Sequence, residues 1–371
     1  MVAVRVCFVG LDNLPALSGN FAQHVMGGES VQQSLLARAL ARSGDDVSMV
    51  VADHGQNDGA EWHGVRTFKA FHPDAGWPIV RFVHPRWTGL WSALRRADAD
   101  LYYTSCAGMH VGLLALFCRS HGRRFVFRCA SDSDCDPSGL LVRYARDRWL
   151  YRLGLRRADA IFVQSEAQYE ALARNYGVPS QVAGMLVERA THSAPRDIDV
   201  LWVGNIRRVK RPERVLALAE QLPALRFHMV GGQMPDERQL GRDIERHSIA
   251  HANLAFHGRL PYVDTNDLYD RARLLLNTSD VEGFPNSYLQ AWIRGVPVVT
   301  LRDPDGVIAR EGLGRAVASP GALRTAVEEL LGDEAELRAA SERCRRYMAR
   351  EYAEDRIVNV YRETFAEVLA A

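Results

Sequence analysis

This 371-residue sequence contains very little lysine and has almost no net charge. Lys and Arg together number 46 and Asp and Glu number 45, so the formal net charge is only +1. A protein that binds mainly nucleic acid usually carries a larger basic excess, so nucleic acid is not an expected partner and any anion site must be local. The only lysines are Lys69 and Lys210, and arginine supplies the remaining positive charge. A lysine retained in such a sequence is a mild indication of a specific role.

Cysteine pairs and long apolar runs are also missing. The six cysteines are scattered, and no two have CxxC spacing. We therefore expect neither a disulfide framework nor a zinc site, and we expect a reducing, cytoplasmic location. The N-terminus, MVAVRVCFVG, lacks the basic region of a signal peptide and predicts a buried strand. The longest apolar stretch, residues 108–118, is too short to span a bilayer, which needs about 20 residues.

Short apolar runs alternate with helical patterns along most of the chain. Val4 to Val9, Val47 to Ala52 and Leu101 to Thr104 predict buried strands, and Val31 to Arg42 has helical spacing. Such alternation favours a parallel sheet that is covered on both faces. The polar segment Val187 to Asp199 interrupts the pattern and predicts an interdomain linker, after which the alternation resumes.

This break and the chain length predict two domains. We expect an α/β fold with two doubly wound, Rossmann-like halves that face each other across a cleft. The N-terminal half would span residues 1–190, the C-terminal half 191–352, and a last helix, 353–371, would return to the N-terminal half. Ligands of such sheets bind at the carboxyl ends of the strands, near helix N-termini.

The stretch EGFPNSYLQAWIRGVPVVT, from Glu282 to Thr300, is the most informative part of the sequence. It follows an apolar strand, and Pro285 stands just before a predicted helix. The amides of Asn286, Ser287 and Tyr288 would be unpaired first-turn donors, which together with the helix dipole make an anion site. Glu282 would lie beside that site and could accept sugar hydroxyls. The alternative is an ordinary strand, turn and helix.

A second element, VLWVGNIRRVKRP, reads as a strand that ends at Gly204 and leads into a basic loop. The loop contains Arg207, Arg208 and Lys210. Taken alone, a basic turn is more often simply solvated. Its place after a buried strand, with EGFPN further along, favours an anion-binding role instead.

The two elements together resemble the signature of the family 4 glycosyltransferases, which have the GT-B fold. That family carries a Glu at both ends of the spacing that here joins Glu282 to Gln290, so Gln290 is a departure. The resemblance implies that Glu282 contacts the donor sugar and that Gln290, which can donate and accept hydrogen bonds, holds the ribose. Arg207 and Lys210 would neutralise the donor diphosphate, with Arg208 as a less favoured alternate.

The resemblance also implies how the donor and reaction would be handled. The donor is expected to be a UDP- or GDP-linked sugar, transferred with retention of anomeric configuration. No metal ion or other cofactor is expected, because cationic side chains would stabilise the leaving diphosphate. The expected catalytic residues are Arg207, Lys210 and Glu282. The expected donor-binding residues are Gly27, Gly28, Gly204, Arg208, Phe284, Pro285, Asn286, Ser287 and Gln290.

Gly27, Gly28 and Glu29 open the first long helix and are similar to the family's GG-x-E turn. Two glycines let the backbone approach a phosphate or sugar closely. The alternatives are a loop with no special role and, for Glu29, a first-turn acid that favours the helix dipole.

The N-terminal half departs from the family at the segment RRFVFRCASDSDCD, where no histidine stands beside Ala130 or Ser131. An acidic run occupies the place instead. Asp132 and Asp134 could bind or deprotonate an acceptor, could hold a metal, or could cap the next helix. We favour the acceptor-side and capping interpretations equally and expect no metal.

Two segments combine arginine with tryptophan: Phe82 to Arg96 and the predicted helix Leu140 to Arg157. Such surfaces suit a peripheral contact with an anionic membrane. The modestly favoured alternative is a set of surface helices with buried tryptophans.

These observations predict a retaining glycosyltransferase that acts on a glycan or lipid-linked acceptor, in surface polysaccharide or glycolipid synthesis. It would be cytoplasmic, and it could bind peripherally to the inner face of a membrane. Two other functions remain open: a nucleotide-sugar epimerase of the same fold, and a non-catalytic scaffold that binds a nucleotide sugar.

Overall fold

The chain divides into two compact units in the computed structural model, which describes residues 3–20, 27–77, 80–188, 195–234 and 237–371. Unit 1 consists of Met1–Leu186 and Glu354–Ala371, and unit 2 of Val187–Ala353. Of the segment expected to be a linker, residues 189–194 lie outside the described residues. Its end belongs to a strand instead: Asp199 lies in Ile198–Val203, where its carboxylate pairs with Arg273 at 3.0 Å.

Unit 1 begins with alternating strands and helices. Its strands are β1 (Arg5–Val9), β2 (Asp46–Val51), β3 (Glu61–Trp62), β4 (Val65–Lys69), β5 (Leu101–Ser105), β6 (Arg124–Arg128), β7 (Ala160–Val163) and β8 (Gln181–Val182). Its helices up to this point are α1 (Leu14–Ser18), α2 (Gly28–Arg42), α3 (Thr88–Ala97), α4 (Met109–His121), α5 (Ala145–Leu155) and α6 (Glu166–Tyr176).

The described strands of unit 1 form one sheet in the order β3-β4-β2-β1-β5-β6-β7-β8. Every neighbouring pair is parallel except the short β3, which runs antiparallel to β4. The strands are apolar along their length because helices cover both faces; Cys7, Phe8 and Tyr103 are inaccessible to solvent. The predicted strands 4–9, 47–52 and 101–104 are confirmed to within one residue at each end.

Two helices of unit 1 pack unusually closely because each has a glycine at the contact. A Cβ atom on Gly112 of α4 would lie 2.4 Å from the carbonyl oxygen of Leu150 in α5. A Cβ atom on Gly154 of α5 would lie 2.6 Å from Cγ1 of Val111. The backbones of α4 and α5 therefore touch where any other residue would hold them apart.

Unit 2 has the same alternation. Its strands are β9 (Ile198–Val203), β10 (Phe227–Val230), β11 (Leu254–Phe256), β12 (Ala272–Asn277), β13 (Val298–Thr300) and β14 (Gly314–Ala316). Its helices are α7 (Glu213–Gln221), α8 (Arg238–Ser248), α9 (Tyr262–Arg271), α10 (Asn286–Ile293), α11 (Val307–Glu311), α12 (Leu323–Gly332) and α13 (Glu334–Glu351).

The described strands of unit 2 form a parallel sheet in the order β11-β10-β9-β12-β13-β14. This is the order of a dinucleotide-binding Rossmann sheet, in which the direction of strand addition reverses between the first and fourth strands. Here the reversal lies between β9 and β12. The two connections that leave the carboxyl ends of these strands pass to opposite faces and open a crevice. The predicted α/β class with two doubly wound halves is confirmed.

The last helix, α14 (Glu354–Ala370), belongs to unit 1. Its Tyr361 ring packs 4.5 Å from that of Phe162, and its Phe365 ring lies 6.3 Å from that of Tyr103. Arg362 pairs with the buried Asp45 at 3.1 Å. The C-terminal segment is thus part of the core of unit 1. Within the described residues, no helix combines the length and the apolar character needed to cross a membrane.

Replacing Gly112 with alanine should destabilise unit 1 by about 1–3 kcal/mol, because the new methyl group would force α4 and α5 apart. Urea unfolding followed by circular dichroism measures the loss. Gly332→Ala is the matched control, since a Cβ atom there meets nothing within 4 Å. Equal stabilities of the two variants would contradict the close packing.

Candidate functional site

The crevice of unit 2 is bordered by two loops, one after β9 and one after β12. Thr278, which is inaccessible to solvent, joins them: its hydroxyl accepts a hydrogen bond from Trp202 Nε1 at 3.0 Å and donates one to the Lys210 carbonyl at 2.8 Å. The strands themselves are in register, with Leu275 opposite Leu201. The basic loop is therefore attached directly to the strand that leads into the EGFPN motif.

Asp280 makes a second connection between the loops. Its amide donates to the Val209 carbonyl at 2.9 Å, and its carboxylate pairs with Arg214 at 2.7 Å and with Arg211 at 3.3 Å. Arg211 has a φ of 52°, in the left-handed region that turns the chain out of the basic loop into α7. The side chains of Arg211 and Arg214 thus pair with Asp280 and hold the loop, and those of Arg207 and Lys210 do not take part in this contact.

Lys210 and Glu282 meet at the centre of this arrangement. Lys210 Nζ lies 2.5 Å from Oε1 and 2.6 Å from Oε2 of Glu282. Oε1 also accepts hydrogen bonds from Ser279 Oγ at 2.6 Å and from Asn277 Nδ2 at 3.1 Å. The Glu282 side chain is only 9% exposed, and that of Lys210 is 28% exposed. A fixed carboxylate and a more accessible ammonium group therefore share one place at the reversal of strand order.

The other two basic residues of the loop differ from each other. Arg207 is half-buried, and no described carboxylate pairs with its guanidinium. The Arg208 side chain is 82% exposed, and its Nε atom is 4.0 Å from Glu237. Arg207 is therefore the better placed of the two to bind an anion beside Lys210.

Glycine is required where β9 and β10 end. A Cβ atom on Gly231 would lie 2.0 Å from the Gly204 carbonyl oxygen, so the two chain segments touch there. Gly204 itself has room for a methyl group, with Trp202 3.4 Å away. The role predicted for Gly204 in donor binding remains a prediction.

Helix α10 starts beside Glu282, with Pro285 at its N-cap. The prediction of three unpaired amides was wrong for Tyr288, whose amide donates to the Pro285 carbonyl at 3.0 Å because the first helical turn closes there. The amides of Asn286 and Ser287 have no acceptor among the described residues. Oδ1 of Asn286 is buried without a partner among these residues. Free first-turn amides attract anions. Phe284 points away into the core, with its ring 6.1 Å from that of Trp292, and can offer only its backbone.

Gln290 belongs to a buried polar network. Its Nε2 atom donates to the Tyr262 hydroxyl at 2.5 Å, and its Oε1 atom accepts from Arg294 at 3.0 Å. Arg294 pairs with Asp270 at 2.9 Å, and both side chains are almost completely buried. A neutral amide at position 290 completes this network, whereas a glutamate would add a second buried carboxylate beside Arg294. Contact between Gln290 and a ribose remains a prediction.

In unit 1, Gly27 is the N-cap of α2 and has an ordinary extended conformation, with a φ of −94°. A Cβ atom on Gly27 would meet nothing within 4 Å, so its surroundings are open. Glu29 lies in the first turn, 3.6 Å from the buried Arg128 at the end of β6. Burial raises the pKa of Glu29 above its usual value, although the positive charge of Arg128 partly opposes this. Gly27 and Gly28 thus start a helix whose first turn is held by a buried ion pair.

The acidic run forms a short helical turn, Asp132–Cys135, capped by Ser131. The Asp134 carboxylate is buried and accepts hydrogen bonds from the amides of Ala130 at 2.8 Å and Ser131 at 3.3 Å. Burial outweighs these bonds and raises the pKa of Asp134 to about 6. Asp132 is exposed and accepts a hydrogen bond from Gln168 at 3.0 Å. Capping thus describes Asp134 well, and an acceptor-side role for Asp132 and Asp134 stays a prediction.

The described residues contain no group of three or more His, Cys, Asp or Glu side chains that could hold a metal ion. The six cysteines are free thiols. In unit 2, Lys210, Arg207, Glu282 and the first turn of α10 present cations, free amides and a carboxylate, which are groups that can bind an anion and hydroxyls.

Comparison with known families identifies the kind of protein that carries this site. A family described as Glycosyl transferase 4-like domain matches residues 27–185, and a family described as Glycosyl transferases group 1 matches residues 197–333. The chain belongs to the family 4 glycosyltransferases of the GT-B fold. The predicted family and enzyme class are thereby confirmed. No curated protein matches the sequence at a significant level.

Solved structures resemble this glycosyltransferase over its whole length. Sucrose-phosphate synthase (tll1590) from Thermosynechococcus elongatus is 19% identical with a TM-score of 0.76, and the match covers 98% of this chain and 99% of that one. Alr3699/HepE from Anabaena, in complex with UDP and glucose, is 13% identical with a TM-score of 0.73 and coverage of 98% and 100%. WaaG, a glycosyltransferase involved in lipopolysaccharide biosynthesis, is 16% identical with a TM-score of 0.69 and coverage of 96% and 99%. These likenesses show the fold.

Sequence reasoning missed several residues that build the site of this glycosyltransferase. Asp280 and Thr278 tie the two loops together, Asp270 and Tyr262 complete the network of Gln290, and Arg128 holds Glu29. Of these residues, only Thr278 and Asp280 could have been found from the sequence, because they follow an apolar strand, where the ligand sites of such sheets lie.

The buried Asp134 should make stability depend on pH. The pKa of Asp134 is higher in the folded than in the unfolded protein, which means that folding favours the neutral carboxyl. The contribution of this neutral carboxyl to stability is present below about pH 4 and is lost as the pH rises through about 6. From about pH 4 to pH 7, the wild type should therefore lose up to about 3 kcal/mol of unfolding free energy relative to Asp134→Asn.

Urea unfolding of both proteins across this pH range measures the difference. Asp136→Asn is the control, since hydrogen bonds from Ser138 lower the pKa of Asp136 and place its titration below this range. A constant difference between the wild type and Asp134→Asn would refute the raised pKa.

Proposed function

We propose that this glycosyltransferase moves a sugar from a UDP- or GDP-linked donor to a glycan or lipid-linked acceptor, with retention of anomeric configuration. Its product would belong to surface polysaccharide or glycolipid synthesis. The observation that carries the proposal is the contact of Lys210 with Glu282, at the reversal of strand order in unit 2 and beside the first turn of α10.

The donor diphosphate would bind to Lys210, Arg207 and the amides of Asn286 and Ser287. Breaking the bond between sugar and phosphate leaves a nucleoside diphosphate with increasing negative charge. Fixed cations and amide dipoles favour that charge in the transition state more than in the bound donor, which is what lowers the barrier. Because side chains supply the positive charge, the proposal requires no metal ion or other cofactor.

Donor binding would redistribute the contacts of Lys210. In the chain alone, its ammonium group is compensated by Glu282. A diphosphate carries more negative charge than one carboxylate and would compete for that group. Ser279 and Asn277 would continue to hold Oε1 of Glu282, which leaves Oε2 free to accept a hydrogen bond from a sugar hydroxyl. The phosphate would then contact Lys210, and the sugar would contact Glu282.

The remaining parts of the proposal concern ribose, acceptor and location. Gln290 would hold the ribose, and Asp132 or Asp134 would contact the acceptor. Two similar structures support the donor and product classes: the Anabaena protein is in complex with UDP and glucose, and WaaG is involved in lipopolysaccharide biosynthesis. Free cysteines suit the cytoplasm. A lipid-linked acceptor would additionally require peripheral contact with a membrane.

Replacing Lys210 or Glu282 with alanine should each lower the rate of donor turnover by about 100- to 1000-fold, because one fixed electrostatic contact in the transition state is lost. Arg207→Ala should lose more activity than Arg208→Ala, whose side chain is mostly exposed. Lys69→Ala, at the other lysine of the chain, is the matched control and should keep full activity.

The assay measures release of UDP or GDP from a panel of nucleotide sugars with membrane or glycan extracts as acceptor, and proton NMR reads the anomeric configuration of the product. An inverted anomer would refute retention. Isomerised free sugar without an acceptor would identify an epimerase, and donor binding without turnover would identify a scaffold. Full activity of Lys210→Ala or Glu282→Ala would refute the assigned site.

A further inference from the structure

Two segments of unit 1 concentrate positive charge in a chain that is nearly neutral. Residues 75–97 contain four arginines and no acidic residue, and residues 137–158 contain six arginines and one aspartate, whereas the whole chain has a net charge of +1. The single aspartate, Asp147, pairs with Arg146 at 2.7 Å. No described carboxylate pairs with Arg81, Arg86, Arg143 or Arg148. The positive charge of these segments is therefore largely uncompensated.

The same segments expose large apolar side chains. Leu141 is 83% exposed, Trp77 82% and Trp149 61%, and Val80, Val83 and Tyr144 are each more than half exposed. Single apolar residues on a surface are common, but several together usually mark an interaction site. Most of the large apolar side chains that the described part of the chain exposes belong to this group.

The two segments form one surface because Arg146 bridges them. Its guanidinium lies 3.5 Å from the centre of the Phe82 ring and 5.9 Å from that of Tyr144. The region between Leu141 and Tyr144, which the sequence predicted as the start of a helix, is not helical, and α5 begins only at Ala145. Leu141 is therefore presented outward before the helix begins. We call this region the arginine–tryptophan surface; it comprises Trp77, Val80, Arg81, Phe82, Val83, Arg86, Leu141, Arg143, Tyr144, Arg146, Arg148 and Trp149.

The surface rests on a packed base. Trp87 and Trp91 are partly buried against the core, and the Trp91 ring lies 5.1 Å from that of Phe117. For these two tryptophans, the interpretation as ordinary buried residues is correct. It does not hold for Trp77 and Trp149, which are mostly exposed and are not among the aromatic residues packed against this core. The surface thus combines tryptophans anchored in the core with others that face solvent.

A groove of about 680 Å³ opens at this base, lined by Trp87, Thr88, Trp91, Ser92, Arg95 and Arg96. Arg96 forms an ion pair with Asp58 at 3.1 Å, whereas no described carboxylate pairs with the exposed Arg95. The groove therefore adds one more uncompensated cation beside aromatic rings.

We propose that the arginine–tryptophan surface binds the headgroup layer of an anionic lipid bilayer. Arginine pairs with lipid phosphates, and tryptophan and leucine insert at the boundary of headgroups and acyl chains. Membrane binding would bring the enzyme to a lipid-linked acceptor, so the biological role of this surface rests on the proposed function. Its chemistry and its test are independent of catalysis.

Other occupants fit the surface less well. A glycan stacks on aromatic rings but gains little from Leu141, Val80 and Val83, and it needs acidic or amide partners that this surface has few of. A second copy of the chain would bring two sets of unpaired arginines together, which is repulsive. An anionic bilayer satisfies both the charges and the apolar side chains at once.

Sedimentation of the full chain with vesicles tests the proposal. The wild type should bind vesicles of phosphatidylcholine and phosphatidylglycerol, should bind less as salt is raised, and should not bind pure phosphatidylcholine. Combined replacement of Trp77, Leu141 and Trp149 with serine should weaken binding by at least about tenfold. Combined replacement of Arg81, Arg86, Arg143 and Arg148 with glutamine should weaken it by about several hundredfold, since each arginine near an anionic surface contributes about fivefold.

Ile249→Ser is the matched control, because Ile249 in unit 2 is 82% exposed, like Trp77, but lies outside the surface. It should leave vesicle binding unchanged. Absence of binding by the wild type, an equal loss in the control, wild-type affinity in either combined variant, or a change of oligomeric state in the variants would each overturn the proposal. Competition by a soluble glycan would also overturn it.

Donor turnover in solution separates this proposal from the proposed function. The combined variants should keep wild-type release of UDP or GDP from the donor when the acceptor is water-soluble. A chain that turns over no donor but binds anionic vesicles through this surface would refute the proposed function and support the surface.

Discussion

Lys210 and Glu282 come from loops that follow neighbouring strands, and they meet because the direction of strand addition reverses between those strands. The reversal sends the chain after β9 and the chain after β12 to opposite faces, so that a crevice opens where both strands end. Thr278 and Asp280 then fix the separation of the loops. An ammonium group and a carboxylate are held in contact in this way, while the arginines that pair with Asp280 maintain the loop.

This contact would allow a nearly neutral protein to bind the highly charged donor that we propose. The positive charge of the site consists of few groups, and Glu282 compensates one of them, for which a bound diphosphate would compete. Arg207 and the free amides of α10 add positive potential that no described carboxylate removes. Charge elsewhere is similarly local: the arginines of the arginine–tryptophan surface lie in unit 1, and all of them except Arg146 lack a carboxylate partner among the described residues, while acidic residues elsewhere balance them in the total.

The sequence predicts the strands well and the contacts between elements poorly. Apolar runs such as Val4 to Val9 are sufficient because a strand buried on both faces must be apolar along its length. Helices α3 and α6 were not predicted, although Leu90, Ala93 and Leu94 of α3 have helical spacing and form its buried face. In α6 only Gln168 and Leu172 are buried, so an apolar period is weak there. The network of Gln290 with Tyr262 and Arg294 could not be predicted, because it depends on how α9 packs against α10. Nor does a motif state which way each of its residues points: within EGFPN, Glu282 lies in the site and Phe284 lies in the core.

A crystal structure of this glycosyltransferase with UDP or GDP tests the central claim most directly. The account predicts that Lys210 Nζ lies within about 3 Å of a phosphate oxygen and that its two-oxygen contact with Glu282 is broken or reduced to one. The diphosphate should also contact Arg207 and the amides of Asn286 and Ser287. A nucleotide bound elsewhere in unit 2, with the contact between Lys210 and Glu282 unchanged, would contradict the account.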